Sequence, residues 1–477
     1  MPLTFSTSIP MLGPMKIAIV HYHARPGGVT RVVERAVESL GADAHCLFFT
    51  GEAARGETPI QKKIRIVPNL GYSTEKKIHS LDLLKRARGA FGGEPDIWHI
   101  HNHSLGKNPA LTQEVSNLAM AGQKILLQIH DFAEDGRPDN YANLGKLKKR
   151  LYPVAPHIHY AALNQRDVEF LQSTGIPKEC VHLIPNAVSK LETGNLQLET
   201  RNSSPLYVYP CRAIRRKNIG ELLLWSVTMP EARFAITLAP KNPEVKPIYD
   251  AWVAFASELG LNVEFDAGAK CSFEEMVARA DALITTSIAE GFGLAFLEPW
   301  LAGKPLVGRN LPEITGDFER HGLDLSALYN RLGIPLTSDA WDIGAEFLQT
   351  LEETMRAAGK AYGRPWSPEY LTAAQAELVQ NGTVDFGILD EKMQRTIIRA
   401  VATDPSIFTA NLGDASPQIA SNFSVVESAY CPKTYGAHLS SIYHKLQTTK
   451  PGSVRYADGQ TLLDEFLSPA RINLLRS

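Results

Sequence analysis

The chain has 477 residues, 44% of them hydrophobic, a size and composition that predict two or three globular domains and exclude a fibrous or disordered protein. Its 49 basic and 51 acidic residues leave a formal charge of −2, which gives no sign of a nucleic-acid partner. The cysteines are scattered, the N-terminus lacks the features of a signal peptide, and no apolar stretch approaches the roughly 20 residues that span a bilayer. We therefore expect a cytoplasmic protein without a transmembrane segment.

The first part of the chain alternates short apolar runs with amphipathic segments, a pattern typical of parallel strands joined by helices. Residues Met15–His21 predict a strand, and a helix is predicted from Val29 to Leu40. Between them, Gly27 and Gly28 would let the backbone approach a ligand at a helix N-terminus. A plain tight turn explains these two glycines at least as well, so the loop alone does not establish a binding site.

Two of the following predicted strands end in histidines. The strand at Asp96–His103 places three of them on one face, but no second cluster supplies further metal ligands, so a role in the core or in an acceptor cleft is the stronger interpretation. His130 ends the strand Lys124–His130, and ligands bind at the carboxyl ends of strands in open parallel sheets. Its imidazole can hydrogen-bond a sugar hydroxyl, and a packed histidine is the alternative. The three alternating histidines are His99, His101 and His103.

A polar stretch, Ser189–Ser204, indicates a linker to a second domain. That domain opens with a predicted strand at Pro205–Pro210 and a predicted helix at Ile219–Trp225, with four cations between them. Cations at this point suit a diphosphate, since arginine offers a bidentate fork and lysine a point charge. A solvated charged surface is the alternative. The four cations are Arg212, Arg215, Arg216 and Lys217.

The most informative stretch is Thr285–Asn310, which follows a short apolar strand. It contains Glu290, the turn Gly291–Gly293, and apolar residues at helical spacing up to Leu301, with Glu298 inside the predicted helix. A glycine-rich turn at a helix start exposes backbone N–H groups to an anion, and the two carboxylates would accept hydrogen bonds from sugar and ribose hydroxyls. This arrangement predicts a nucleotide-sugar site. An ordinary strand-to-helix connection with a solvated Glu298 is the alternative.

The run from Glu290 to Glu298, EGFGLAFLE, resembles the signature of family four of the retaining glycosyltransferases, which have the GT-B fold. The resemblance implies an α/β protein of two Rossmann-like parallel-sheet domains that face a cleft, with a mainly helical C-terminal insertion. It further implies that Glu290 binds donor-sugar hydroxyls, Glu298 binds the ribose, and His130 lies on the opposite side of the hexose. Ala187 departs from the family, which has glycine after Pro-Asn at this point. The other implied donor-binding residues are Gly27, Gly28, Arg212, Lys217, Phe292, Gly293 and Leu294, and the implied catalytic residues are His130, Glu290, Arg212 and Lys217.

The same resemblance implies an enzyme that moves a hexose from a UDP- or GDP-linked sugar to a hydroxyl group with retention of configuration. The chain has no Asp-x-Asp triplet to hold a cation, which favours transfer without a metal or another cofactor. The lack of a membrane segment favours a small soluble acceptor, such as a sugar or a sugar acid. A disaccharide phosphorylase on the same fold, a lipid- or polysaccharide-directed transferase, and a non-enzymatic two-lobed binding protein are the alternatives.

We predict five segments along the chain. An N-terminal acceptor-side domain would cover residues 1–195, and a nucleotide-sugar domain would cover residues 196–338. A helical insertion over 339–425 would precede a closing helix, 426–446, that crosses back to the first domain, and residues 447–477 would form a tail. The insertion and the tail carry no recognised motif, and they could shape an acceptor site or the interface of a homo-oligomer.

Overall fold

Two parallel sheets form the framework of the protein in the computed structural model, which describes residues 13–75, 77–190 and 204–476. The predicted linker, Ser189–Ser204, lies mostly outside the described residues, as does the boundary predicted between residues 195 and 196. The prediction of two Rossmann-like parallel-sheet domains is confirmed.

The first half of the chain builds a sheet whose strands alternate with helices. The fully buried strand of sequence ILLQI is almost continuously apolar, as expected for a parallel strand covered on both faces. The strands are β1 (Met15–His21), β2 (Ala44–Thr50), β3 (Ile64–Ile66), β4 (Ile97–His101), β5 (Ile125–Ile129), β6 (Pro153–Val154), β7 (Ile158–Ala162) and β8 (Val181–Leu183). The helices are α1 (Gly28–Leu40), α2 (Leu83–Phe91), α3 (Pro109–Met120), α4 (Pro138–Asn143) and α5 (Gln165–Ser173). Within the described residues, the sheet has the order β3-β2-β1-β4-β5-β7-β8.

The second half repeats the alternation in a smaller sheet. Its strands are β9 (Leu206–Arg212), β10 (Arg233–Leu238), β11 (Val263–Glu264), β12 (Ala282–Thr285) and β13 (Leu306–Gly308). Its helices are α6 (Ile219–Thr228), α7 (Lys246–Glu258), α8 (Phe273–Arg279), α9 (Glu298–Leu301) and α10 (Pro312–Arg320). The strands are parallel and, among the described residues, have the order β11-β10-β9-β12-β13. The central strand, β9, leads directly into the cationic segment predicted to bind phosphate.

The segment that follows is mainly helical, as predicted, and packs against the second sheet's helices. The helix α13 lies on α6, and Arg309 at the end of β13 reaches both Glu221 of α6 and Asp385. The helical segment is therefore in contact with the second domain, and its predicted bounds and its status as an insertion stay predictions. The elements are β14 (Gly333–Pro335), α11 (Gly344–Tyr362), α12 (Pro368–Leu378), β15 (Thr383–Asp385), α13 (Glu391–Thr403) and α14 (Ile419–Ala429).

The last part of the chain passes back and forth between the two domains. Helix α15 (Pro432–Thr448) packs against α1, where a Cβ on Gly436 would collide with Ser39. The tail adds β16 (Arg455–Tyr456), which pairs antiparallel with β6, and α16 (Gly459–Phe466). Phe466 packs in the first domain, whereas Leu474 is buried in the core of the second. The tail therefore spans the gap between the domains.

A buried carboxyl in the first domain makes stability depend on pH. Tyr152 donates a hydrogen bond to Glu134 Oε1 at 3.1 Å, and burial raises the pKa of Glu134 to about 7. The folded protein thus holds this proton more tightly than the unfolded chain, whose carboxyl titrates near its ordinary value of 4.5. The contribution is fully present below about pH 4.5 and is lost as the pH rises through about 7.

We predict that Glu134→Gln is as stable as the parent protein at pH 5 and more stable at pH 8, by about 1–3 kcal/mol. The amide keeps the shape of the protonated carboxyl but cannot ionise. Urea unfolding of both proteins at the two pH values measures the difference. The same loss of stability between pH 5 and pH 8 in both proteins would contradict the assignment.

Candidate active site

Residues that follow four strands of the two sheets line one cavity of about 260 Å³ between the domains. His130 follows β5, Arg216 follows β9, Glu290 follows β12 and Leu311 follows β13. The domains also touch directly here, because the Asn164 side chain donates a hydrogen bond to the Gly291 carbonyl at 2.8 Å. The predicted cleft is therefore present, at the strand ends where parallel sheets bind ligands.

Glu290 lies at the centre of a cluster of charges in this cleft. Its Oε2 atom accepts a hydrogen bond from Arg216 Nη1 at 2.8 Å, and its Oε1 atom accepts one from Lys217 Nζ. Burial raises its pKa, but the charges of Lys217 and Arg216 outweigh burial and lower the pKa of Glu290 to about 2. Glu290 is therefore an anion at neutral pH. It also retains lone pairs for ligand hydroxyls, since a carboxylate can accept about four hydrogen bonds.

The four predicted phosphate-binding cations point to different partners. Lys217 and Arg216 reach Glu290, whereas Arg215 pairs with Glu391 at 2.8 Å and Arg212 Nη1 donates to the Ala239 carbonyl at 3.2 Å. The cause is local, because residues 215–217 form a 3₁₀ turn, in which successive side chains are about 120° apart. Arg216, which was not among the implied donor-binding residues, thus contacts Glu290, and the phosphate-binding role of Arg212 stays a prediction.

The turn after Glu290 offers its backbone to a ligand, not its side chains. Gly293 has φ of +92°, in the left-handed region that favours glycine. Phe292 is buried against Phe318, with ring centroids 5.5 Å apart, and Leu294 packs against the second core. Within the described residues, the structure shows no hydrogen-bond acceptor for the N–H groups of residues 292–294. These N–H groups are suited to an anion.

The continuous helix predicted after this turn is wrong. The structure has a 3₁₀ turn at Leu294–Phe296 and then only the short helix α9, in which Glu298 is the first residue. Pro299 explains the break, because proline has no N–H for the Ala295 carbonyl and its ring would clash with that carbonyl. A four-residue helix contributes little dipole, so the turn's own N–H groups and the nearby cations provide the positive charge.

Glu298, Gly27 and Gly28 are not among the residues that line the cavity of about 260 Å³. Burial raises the pKa of Glu298, and the charges of Arg35 and Arg31 in α1 partly offset this effect. Gly27 and Gly28 begin α1, and a Cβ on Gly28 would meet open space. Among the described contacts, none joins Glu298 to the Glu290 cluster.

His130 belongs to a line of buried, neutral histidines. Its Nε2 atom lies 2.9 Å from His101 Nδ1, and its backbone N–H donates to Asn102 Oδ1 at 2.7 Å. Burial lowers the pKa of His130 to about 3, so its imidazole is uncharged at neutral pH and can hydrogen-bond a ligand without delivering a proton. His99 bonds to Gln128 and Tyr443, while His103 bonds to a backbone carbonyl away from them.

Comparison with known proteins agrees with this geometry. No family model matches the chain. The chain is 30% identical over 337 residues to the mannosylglucosyl-3-phosphoglycerate synthase of Petrotoga mobilis, an alignment that covers 63% of this chain and 66% of that protein. The chain thus spans just under two thirds of the length of this relative.

Solved structures show the same fold. HepE of Anabaena, crystallised with UDP, superposes with a TM-score of 0.53 at 14% identity, covering 90% of this chain and 100% of HepE. A glycosyltransferase from Rickettsia africae gives a TM-score of 0.54 at 13% identity, covering 92% and 100%. The GT-B fold predicted from the sequence is confirmed. Over the described residues, no helix is long and apolar enough to cross a membrane, and no three potential metal-ligating side chains form a cluster.

Sequence analysis missed several charged residues that line the same cavity. Glu313 of α10 accepts from Arg166 Nη1 at 3.0 Å and from Arg471 Nη1 at 2.5 Å, and Arg476 pairs with Asp135 at 2.6 Å. Arg471 and Arg476 belong to the tail, which carries no recognised motif and for which the sequence predicted only a possible acceptor site or oligomer interface. No local pattern could have placed them here, because their position depends on the return of the tail across the cleft.

Proposed function

We propose that this glycosyltransferase moves a hexose from a nucleoside-diphosphate sugar, UDP- or GDP-linked, to a hydroxyl of a small acceptor, with retention of configuration and without a metal ion. One observation carries the proposal: the Glu290 carboxylate is held between Lys217 and Arg216 and lines the same cavity as His130. A carboxylate suited to hydroxyl groups thus lies next to two cations suited to phosphate. A nucleotide sugar needs both.

The donor diphosphate would bind to the N–H groups of residues 292–294, Lys217 and Arg212. Lysine has three N–H donors, so Lys217 can contact a phosphate while it remains bonded to Glu290. These charges are fixed before the reaction and would stabilise the negative charge that develops on the departing diphosphate. Glu290 and His130 would hold the hexose, and Glu298 the ribose.

The ionisation states favour a mechanism in which the substrate itself takes the proton. His130 is uncharged and Glu290 is a weak base held by two cations, so neither is suited to general acid or base catalysis at neutral pH. In the proposed reaction the bond from the anomeric carbon to the phosphate oxygen breaks, and the bond to the acceptor oxygen forms on the same face. The acceptor's proton passes to the phosphate oxygen that leaves.

The acceptor is proposed to be a sugar or sugar acid with an anionic group. Arg166 and Arg471 line the cavity that contains Glu290, and a guanidinium fork matches a carboxylate or a phosphate. The name of the Petrotoga relative refers to a phosphoglycerate product, which supports such an acceptor for this chain. We also propose a cytoplasmic location, where nucleotide sugars would be available to it.

A donor screen tests the proposed function. Purified protein is incubated in EDTA with UDP-, GDP- and ADP-linked hexoses, and nucleoside diphosphate is measured with and without pooled sugars and sugar acids. We expect nucleoside diphosphate to be released from one of the donors, and we expect an acceptor to increase the amount released. Cleavage of a disaccharide only in the presence of inorganic phosphate would identify a phosphorylase instead, and the absence of both reactions would favour a binding protein.

His130→Ala is expected to lower turnover about 10- to 100-fold, because the hexose loses a positioning contact. His182→Ala is a matched control, since His182 also pairs with another histidine, His159, at 2.9 Å but does not line the cleft. Turnover with the preferred donor is measured together with thermal unfolding. Equal turnover in the two variants would refute the role of His130.

A further inference from the structure

A second cavity, of about 550 Å³, adjoins the cleft on the side of the helical segment and the tail. The two cavities share a wall made of five residues, so the second space lies directly behind one side of the cleft. The shared residues are Asp135, Arg471, Ile472, Asn473 and Arg476. The volume falls within the roughly 300–1,000 Å³ that is usual for small-molecule sites.

Aromatic side chains line much of this second cavity, which we call the aromatic cavity: Tyr362, Trp366, Tyr370 and Phe466. The guanidinium of Arg356 lies 4.3 Å from the centre of the Trp366 ring and holds the indole in place. Tyr370 is 47% exposed, an unusual state for a large aromatic side chain in a folded protein. Flat aromatic rings offer the apolar surface on which the C–H face of a sugar ring packs.

Three N–H donors on lining residues of the aromatic cavity have no partner. Trp366 Nε1, Arg364 Nε and Arg471 Nε are buried and form no hydrogen bond with any residue that the structure describes. Buried donors normally find an acceptor, because an unpaired one is costly. These atoms have almost no accessible surface, so a sugar hydroxyl or ring oxygen would accept from them only after the side chains rotate toward the cavity.

We propose that the aromatic cavity binds the distal sugar ring of a saccharide acceptor whose reacting ring lies in the cleft. This proposal rests on the proposed function and makes it more specific: the acceptor has at least two rings. The acceptor extends from Glu290 past the shared wall at Arg471 to Trp366 and Tyr370. The helical segment and the tail, which carry no recognised motif, thereby gain a role in acceptor selection.

Calorimetry with saccharides tests the site without relying on catalysis. The probes are glucose and mannose as single rings, and maltose, cellobiose and mannobiose as double rings. We expect one double-ring probe to bind the parent protein at least tenfold more tightly than either single ring. This gain in affinity should disappear in the double variant Trp366→Ala, Tyr370→Ala. Trp366→Phe should keep most of the gain, which guards against a folding defect.

Glu369→Ala is the control for position, since Glu369 lies in the same helix as Tyr370, is exposed and does not line the cavity. In steady-state assays, the double variant should raise KM for the double-ring acceptor about tenfold and leave nucleoside diphosphate release without acceptor unchanged.

Several results would overturn the aromatic cavity as an acceptor site. These are equal affinity for one and two rings, no effect of the double variant, and tighter binding of long alkyl glycosides than of disaccharides. The last result would identify a hydrocarbon site. Failure of the proposed function would be seen separately, as the lack of nucleoside diphosphate release from every donor by the parent protein.

Discussion

Replacing Lys217 with alanine is expected to lower turnover about 100- to 1,000-fold, because the departing diphosphate loses a fixed positive charge. The fold should survive, since Arg216 still pairs with Glu290 at 2.8 Å and leaves no isolated buried anion. Initial rates of nucleoside diphosphate release give the turnover, and urea unfolding gives the stability. Lys217→Arg should retain more activity than Lys217→Ala, because it keeps the charge but alters its geometry.

A surface lysine in the same domain provides the control for Lys217. Lys270 pairs with Glu264 at 2.7 Å, and its side chain is 73% exposed. Lys270→Ala removes the same kind of charge far from the cleft and should leave turnover unchanged. If Lys217→Ala loses activity only in proportion to its loss of folded protein, or if both lysine variants keep full activity, the proposed phosphate role is wrong.

Replacing Arg309 with methionine is expected to destabilise the protein by about 3–5 kcal/mol, because two buried carboxylates lose their counter-charge. The Arg309 side chain is 3% exposed, and its Nη2 atom donates to Glu221 Oε2 at 2.6 Å. Its Nη1 atom donates to Asp385 Oδ2 at 2.5 Å, and its Nη2 atom also donates to Asp385 Oδ1 at 2.9 Å. It joins α6 of the second sheet to β15 of the helical segment. Urea unfolding measures the loss.

Arg399→Met is the matched control for Arg309→Met. Arg399 pairs with Glu258, but both side chains are about half exposed, so its loss should cost less than about 1 kcal/mol. Similar stabilities for the two variants would show that the buried network does not anchor the helical segment to the second domain.

The strands were predictable from the sequence because burial on both faces leaves a strong local signal. The prediction of β1 agrees with the structure at both ends, β5 is one residue shorter at each end than its prediction, and β12 extends one residue beyond the predicted apolar strand 282–284, to Thr285. The helix after Gly293 was mispredicted because apolar spacing was weighed above Pro299, whose missing N–H divides the segment. Hydrophobic periodicity alone therefore overestimates the length of a helix when the segment contains an internal proline.

The candidate site was only partly predictable. Glu290 and Lys217 were expected in one site from the resemblance to family four of the retaining glycosyltransferases, and they form an ion pair. The sequence does not show which of Arg215 and Arg216 reaches Glu290, because that depends on the 3₁₀ turn at residues 215–217. Arg471 reaches the cleft only because the tail crosses between domains, and such a long-range path has no local signal.

Analysis of the reaction product by NMR tests the central claim most directly. The protein is incubated in EDTA with its preferred nucleotide sugar and a saccharide acceptor, and the anomeric coupling of the transferred hexose is compared with that of the donor. We predict one new glycosidic bond for each nucleoside diphosphate released, with the donor's configuration retained. An inverted linkage, or a sugar phosphate formed only when inorganic phosphate is added, would contradict the account.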